Sequence, residues 1–133
     1  NQNELIEAAG GLKEGCEKVI SGGPMMGFAM YTTDTPITKT SSSILCMSKD
    51  EVSACEPTAC INCGRCVDAC PSRIIPSRLA DFAERHDEEA FLKFNGLECV
   101  ECGSCSYVCP AKRQLKQAIG SMRKTALANK KKK

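Results

Sequence analysis

The residues best suited to chemistry in this chain are its cysteines, which number 11 among 133 residues. Eight of them form two runs with the same spacing, Cys-x-x-Cys-x-x-Cys-x-x-x-Cys-Pro, namely Cys60, Cys63, Cys66 and Cys70, and then Cys99, Cys102, Cys105 and Cys109. Thiolates are soft ligands, and three at spacings of two with a fourth before proline are typical of cubane iron–sulfur sites. The repeat therefore predicts two 4Fe-4S clusters.

The fourth cysteine of each run is predicted to bind the cluster of the other run. In two-cluster ferredoxins the chain turns away into a helix after the third ligand, so the last cysteine reaches the neighbouring cluster. By that rule the two ligand sets are Cys60, Cys63, Cys66 and Cys109, and Cys99, Cys102, Cys105 and Cys70. Gly64 and Gly103 are expected to let the backbone pass close to the clusters, and Pro71 and Pro110 to end the runs.

Zinc sites and disulfides are the alternatives for so many cysteines. Zinc needs two Cys-x-x-Cys pairs per ion and leaves the third cysteine and the Cys-Pro unexplained in both runs. Disulfides predict a secretory signal and usually an even count, whereas this chain opens with Asn1-Gln2-Asn3-Glu4 and has an odd count. Its single histidine, His86, excludes two Rieske or Cys₂His₂ sites. Iron–sulfur binding is therefore favoured.

The other reactive side chains are predicted to be structural. Cys16, Cys46 and Cys55 lie outside the two runs. Cys55, five residues before Cys60, could substitute as a ligand, but we expect it to be a small buried residue. His86 is expected to be a packed or half-exposed residue on the apolar stripe of a linker helix. Because the sequence has no nucleophile with a base partner and no dinucleotide or Walker loop, no catalytic residue is predicted and the expected chemistry is electron relay.

The elements before the cysteine runs predict a small α+β piece over residues 1–47. A short helix over residues 4–9 is followed by Gly10-Gly11, and three apolar runs, at 19–20, 28–31 and 44–47, are predicted to form short strands. Such a piece has too few strands to be stable alone. From Ser48 the pattern becomes helical, with a predicted helix start at Asp50-Glu51, so a second, mainly α-helical domain is predicted over residues 48–128.

Helices are also predicted between the runs and after them. Apolar residues from Ile75 to Ala90 recur at spacings of three and four, which indicates a helical linker of one or two helices, capped by Ser77 and ended by Asn95-Gly96. Residues 111–133 carry nine bases and no acid, against nine bases and sixteen acids in residues 1–110. This end suits an acidic partner, anionic lipid or nucleic acid, or it is simply a solvated helix with frayed lysines. Residues 129–133 are predicted to be a disordered basic tail.

The segment Val-Ile-Ser-Gly-Gly-Pro-Met-Met-Gly at 19–27, followed by Pro-Ile-Thr-Lys at 36–39 and by both cysteine runs, resembles the C-terminal part of the C subunit of the Rnf electron transport complex. The likeness extends to about residue 125. It implies that residues 1–47 end a soluble-ligand-binding β-grasp domain, and that residues 48–128 form an α-helical ferredoxin-like domain with two 4Fe-4S clusters. Lys-Thr-Ser-Ser-Ser at 39–43 departs from the family's Lys-Gly-Thr-Ser-Gly, so no ligand contact is assigned there.

The resemblance implies an iron–sulfur segment of a membrane-associated, ion-translocating ferredoxin:NAD oxidoreductase. FMN and NAD would then bind a part of the longer protein outside this sequence. The partners would be the other subunits of the complex and, through the basic tail, the anionic surface of a bacterial inner membrane on its cytoplasmic side. One alternative is the iron–sulfur subunit of another quinone- or disulfide-reducing complex, against which the glycine-rich segment at 22–27 argues. Another is a nucleic-acid-binding protein with a structural cluster, but nucleic acid is not expected because aromatic residues are scarce beside the basic tail.

Overall fold

The computed structural model describes residues 1–52 and 54–132, and the chain divides into two compact units, Asn1–Cys55 and Glu56–Lys133. This division falls eight residues after the predicted boundary at Met47. The identity of residues 1–47 and 48–128 as the two predicted domains remains a prediction. Ser53, in the predicted second domain, and Lys133, in the predicted tail, lie outside the described residues.

The first unit contains one helix and a small antiparallel sheet. Helix α1 (Gln2–Ala8) begins at a capping box in which Asn1 and Glu4 satisfy each other's backbone N–H groups. The strands are β1 (Lys18–Ser21), β2 (Phe28–Ala29) and β3 (Ile44–Met47), in the order β2-β1-β3. The predicted helix and all three strands are confirmed, although β2 is shorter than its apolar run.

The glycine-rich segment after β1 forms the tight connection to β2. Gly22 has a φ of 98°, a conformation that favours glycine. The N–H of Gly27 donates to the carbonyl oxygen of Gly23 at 2.8 Å, and a Cβ on Gly27 would lie 2.6 Å from the carbonyl oxygen of Ser21. Backbone conformation and close packing in this turn therefore explain the glycines at positions 22 and 27.

The second unit is helical. Its elements are α2 (Arg65–Asp68), α3 (Pro76–Glu84), α4 (Glu88–Lys93), a short 3₁₀ helix (Gly96–Glu98), α5 (Ser104–Val108) and α6 (Leu115–Lys131). Helices α3 and α4 confirm the helical linker. Helix α6 includes residues 129–131 of the predicted tail, where lysines near the helix C-terminus interact favourably with its dipole. In the part of the chain that the structure describes, no helix is both long and apolar enough to cross a membrane.

The core of the second unit forms where α3 packs on α6. Its most deeply buried large side chains are Phe91, Leu79, Leu115 and Ile119. Burying each of these typically contributes about 1.5–3 kcal/mol. Cys66 and Cys105 belong to this core cluster, and Cys70, Cys99 and Cys109 pack against it. The cysteine runs are therefore held by the same contacts that hold the helices together.

Three predicted details of the helical part are wrong. Helix α3 begins with Pro76 after the N-cap Ile75, so Ser77 is inside its first turn and is not a cap. His86 lies exposed between α3 and α4 with a φ of 56°, because Asp87 accepts the N–H of Ala90 and starts a new helix. No helix starts at Asp50-Glu51 in the described residues. The carboxylate of Asp50 instead pairs with Lys18 on β1 at 2.6 Å.

Candidate metal centres

The two cysteine runs share one backbone conformation. Asn62 and Glu101, each two residues after the first cysteine of its run, both have a φ of 55°. Their N–H groups donate to the Sγ atoms of Cys60 and Cys99, both at 3.4 Å. The sequence repeat is therefore also a structural repeat, and it turns backbone donors toward sulfur.

A glycine precedes the short helix of each run. Gly64 and Gly103 have φ values of 76° and 84° and are the N-cap residues of α2 and α5. A Cβ on Gly64 would meet nothing within 4 Å in the polypeptide. The positive φ thus accounts for glycine at these two positions.

The first cavity is lined by thiols from both runs. Its four cysteines are Cys60, Cys63, Cys66 and Cys109, and its volume including the open mouth is about 380 Å³. Ser77, Arg113 and Leu115 are also in its lining. Cys63 is exposed and Cys66 is buried, so the cavity leads from the surface to the core.

The second cavity repeats this arrangement with the roles of the runs exchanged. Its four cysteines are Cys99, Cys102, Cys105 and Cys70, and its volume is about 340 Å³ on the same measure. Apolar walls come from Ile74, Pro76 and Ile119, and charged side chains from Glu101 and Lys116. Each cavity therefore holds the first three cysteines of one run with the last cysteine of the other.

The crossing follows from how the two short helices pack. Helices α2 and α5 contact each other, and each is followed directly by the last segment of its run. Cys70 and Cys109 close these segments with N–H bonds to Val67 and Ser106, at 3.1 Å and 3.3 Å. With the two helices in contact, each last cysteine lines the cavity of the other run.

The thiols of the second cavity differ in acidity. Burial raises the pKa of Cys105 to about 11. Burial also raises the pKa of Cys99, and the charge of Glu101 adds to that increase. Hydrogen bonds from the side chain and backbone of Ser104 lower the pKa of Cys102. Since the thiolate is the metal ligand, a metal must displace protons from the thiols of Cys99 and Cys105.

Arg113 forms the main polar contact beside the first cavity. Its guanidinium donates to Asp81 at 2.8 Å and to Glu84 at 3.0 Å, and the side chain is only 11% exposed. Burial alone would lower the pKa of Arg113, but these two bonds outweigh it and raise that pKa. The two bonds fasten the chain before α6 to α3, so Arg113 positions the cavity wall. No local pattern in the sequence indicated this role.

No group of three or more His, Cys, Asp or Glu side chains among residues 1–52 and 54–132 is placed to hold a single metal ion. A cubane cluster is a larger body, and its four iron corners each take one thiolate from a different direction. Four soft thiols lining one cavity are suited to that geometry. The donor chemistry of both cavities therefore fits a 4Fe-4S cluster.

The remaining cysteines are not in the described lining of either cavity. The Sγ of Cys16 lies 3.7 Å from the carbonyl oxygen of Lys18, and Cys46 is exposed on β3. Cys55 is exposed too, so the prediction that it is buried is wrong. Its thiol donates to the carbonyl oxygen of Glu51 at 3.5 Å, and this local turn keeps it at the surface.

Comparison with known proteins agrees with this geometry. Residues 59–113, which include both cysteine runs, match the family described as the 4Fe-4S dicluster domain. The second unit thus contains an iron–sulfur domain of the ferredoxin-like class.

Relatives that match most of this chain are named as C subunits of ion-translocating complexes. The C subunit of the Na(+)-translocating ferredoxin:NAD(+) oxidoreductase complex of Acetobacterium woodii is 42% identical, over 96% of this chain and 29% of that protein. The C subunit of the proton-translocating complex of Clostridium ljungdahlii is 50% identical, over 87% and 26%. The C subunit of the ion-translocating oxidoreductase complex of Methanosarcina acetivorans is 46% identical, over 87% and 26%.

The resemblance to the Rnf C subunit is therefore confirmed, and this chain belongs to that family of iron–sulfur electron-transport subunits. It spans less than a third of the length of these three relatives.

Proposed function

We propose that this chain relays single electrons through two 4Fe-4S clusters, one in each cavity. The observation that carries the proposal is that each cavity is lined by four thiols, three from one run and the fourth from the other. When bound, each cluster would supply a one-electron carrier. The proposed ligand sets are Cys60, Cys63, Cys66 and Cys109, and Cys99, Cys102, Cys105 and Cys70.

The residues around the thiols would hold and tune the clusters. The N–H groups of Asn62 and Glu101 already point at ligand sulfur atoms, and such donors stabilise negative charge on sulfur. The apolar core behind Cys66 and Cys105 keeps water from the inner side of each site. The exposed Cys63 at the first cavity supports that cavity as the point where electrons enter or leave.

The proposal extends to a complex, by analogy with the relatives. Their names describe ion-translocating ferredoxin:NAD(+) oxidoreductases, so the partners proposed here are other subunits of such a complex on the cytoplasmic side of a bacterial inner membrane. FMN and NAD would bind a part of the longer protein outside this sequence. The three-stranded sheet of the first unit supports its proposed place at the end of a β-grasp domain.

Metal analysis of anaerobically prepared protein tests the function. We expect about eight iron and about eight acid-labile sulfide per chain, with broad visible absorption that bleaches on reduction by dithionite. Cys55→Ala is the matched control and should keep the same content, because Cys55 is in the described lining of neither cavity. Stoichiometric zinc without sulfide would refute the proposal.

The proposed attraction to anionic lipid is tested by neutralising lysines in α6 and at its C-cap, Lys132. Deleting residues 112–133 would also remove the buried Leu115, Ile119 and Met122, so substitutions are the better test. Replacing the exposed Lys124, Lys130, Lys131 and Lys132 with Gln should weaken binding to phosphatidylglycerol vesicles by more than about tenfold, since each contributes about 1 kcal/mol. Iron content should not change.

The same number of exposed lysines elsewhere supplies the control for this test. Replacing Lys13, Lys39, Lys49 and Lys93 with Gln changes net charge equally but leaves α6 intact. We expect this variant to bind vesicles better than the α6 variant in a sedimentation assay. Binding that responds neither to the α6 substitutions nor to salt would contradict a role for these lysines.

A further inference from the structure

The two runs place different residues at one equivalent position. Asn62 and Glu101 have the same φ and donate the same N–H bond, at the same distance, to the first cysteine of their runs. Asn62 carries no charge, whereas Glu101 carries a carboxylate. Since the backbones match, the two sites differ at this position by one negative charge.

The carboxylate of Glu101 is held in place beside the second cavity. It is part of the cavity lining, its side chain is 25% exposed, and its Oε1 lies 3.4 Å from Nη1 of Arg123. Arg123 is itself fixed by a bond from its Nε to the carbonyl oxygen of Leu97 at 3.2 Å. A Cβ on Gly120 would lie 3.0 Å from Oε2 of Glu101, so glycine in α6 leaves room for the carboxylate.

The other charged side chains in the described linings of the two cavities are basic. Arg113 is in the lining of the first cavity, where Asp81 and Glu84 pair with it. Lys116 is in the lining of the second. Among the described lining residues of the two cavities, Glu101, in the second cavity, is the acidic one. Arg123 reduces its field but is 31% exposed and partly screened by water.

We propose that Glu101 lowers the midpoint potential of the cluster bound by the second set of cysteines, and that Asn62 leaves the other cluster without this effect. The inference rests on the proposed function. Reduction adds one electron to the cluster and breaks no bond. The added negative charge is repelled by the Glu101 carboxylate, which is in the lining of the same cavity as the four thiols. This repulsion is stronger in a partly buried site than in water.

Isosteric substitutions test this directly in an EPR-monitored redox titration with dithionite as reductant. Glu101→Gln should shift the potential of one EPR signal upward and leave the other unchanged. Asn62→Asp adds a charge at the equivalent position and should shift the other signal downward. Glu101→Asp keeps the charge, so it should shift the potential of that same EPR signal less than Glu101→Gln does. Arg123→Gln removes the compensating charge and should lower the potential of the signal that Glu101 affects.

Iron and sulfide content separates the possible failures. Full content with unchanged potentials in both Glu101→Gln and Asn62→Asp overturns the role of Glu101 while the proposed function stands. Shifts of the same signal by both variants overturn the proposal as well, because the two charges would then act on one cluster. Wild-type protein that assembles no clusters refutes the proposed function itself. If Glu101→Gln loses its cluster, Asn62→Asp and Glu101→Asp still decide the electrostatic effect.

Discussion

Cys70→Ala is expected to damage the cluster whose other ligands are Cys99, Cys102 and Cys105, and to leave the cluster of its own run intact. Cys70 is part of the second cavity's lining and is missing from the described lining of the first. The variant leaves three thiolates at that site. A three-iron product, with iron content falling by about one per chain, or a corner bound by water, with iron content kept, should result.

Cys109→Ala should have the converse effect on the cluster of Cys60, Cys63 and Cys66. Each of the two variants should therefore lose a different one of the two EPR signals, whereas Cys55→Ala should keep both. Since Cys70 and Cys109 also pack against the core cluster, each variant should unfold at a lower temperature than the Cys55→Ala control. Selective loss of the cluster of Cys60, Cys63 and Cys66 in the Cys70 variant would show that each run closes on itself.

The grouping of the eight cysteines around two cavities could be predicted from sequence because the information is local and repeated. Ligands at spacings of two fix the first three cysteines of each site. The rule for the fourth cysteine depends on chain direction after the third, which the proline and the short helix of each run determine. The strands β1 and β3 were likewise encoded locally, by apolar runs bounded by glycine and polar residues.

What the sequence could not provide depends on contacts between distant residues. Arg113 pairs with Asp81 and Arg123 with Glu101, 32 and 22 positions apart, and no local pattern encodes either pair. The helix expected at Asp50 failed for the same reason, because Lys18 draws that carboxylate to the sheet.

The error at His86 has a different cause. Its spacing from Ala83 and Ala90 continues the apolar period of α3, but the chain breaks the helix before it, and Asp87 caps the next one. Apolar periodicity indicates which residues can share a helix face. It does not reveal a short break between two consecutive helices. Cap chemistry carried the missing information, and Asp87 was the residue that signalled it.

Removing the clusters is expected to unfold the second unit. Two of the ten residues of its core cluster are the proposed ligands Cys66 and Cys105, and three more ligands pack against that cluster. Once iron leaves, Cys105 takes up a proton at neutral pH, because burial raises its pKa to about 11. The iron–sulfur bonds that join the two runs are then lost. The remaining core is small, and its burial offsets little of the conformational entropy that the chain loses on folding.

Far-ultraviolet circular dichroism during anaerobic chelation measures this loss. Most of the helical signal should disappear in step with iron release, since all the helices after α1 lie in the second unit of the described chain. Adding back iron and sulfide under reducing conditions should restore it, which separates unfolding from irreversible damage. A chain that releases all its iron yet stays helical and keeps a cooperative thermal transition would contradict the coupling. In that case packing of α3 on α6 would suffice to hold the fold, and the cysteines would be ligands without a structural role.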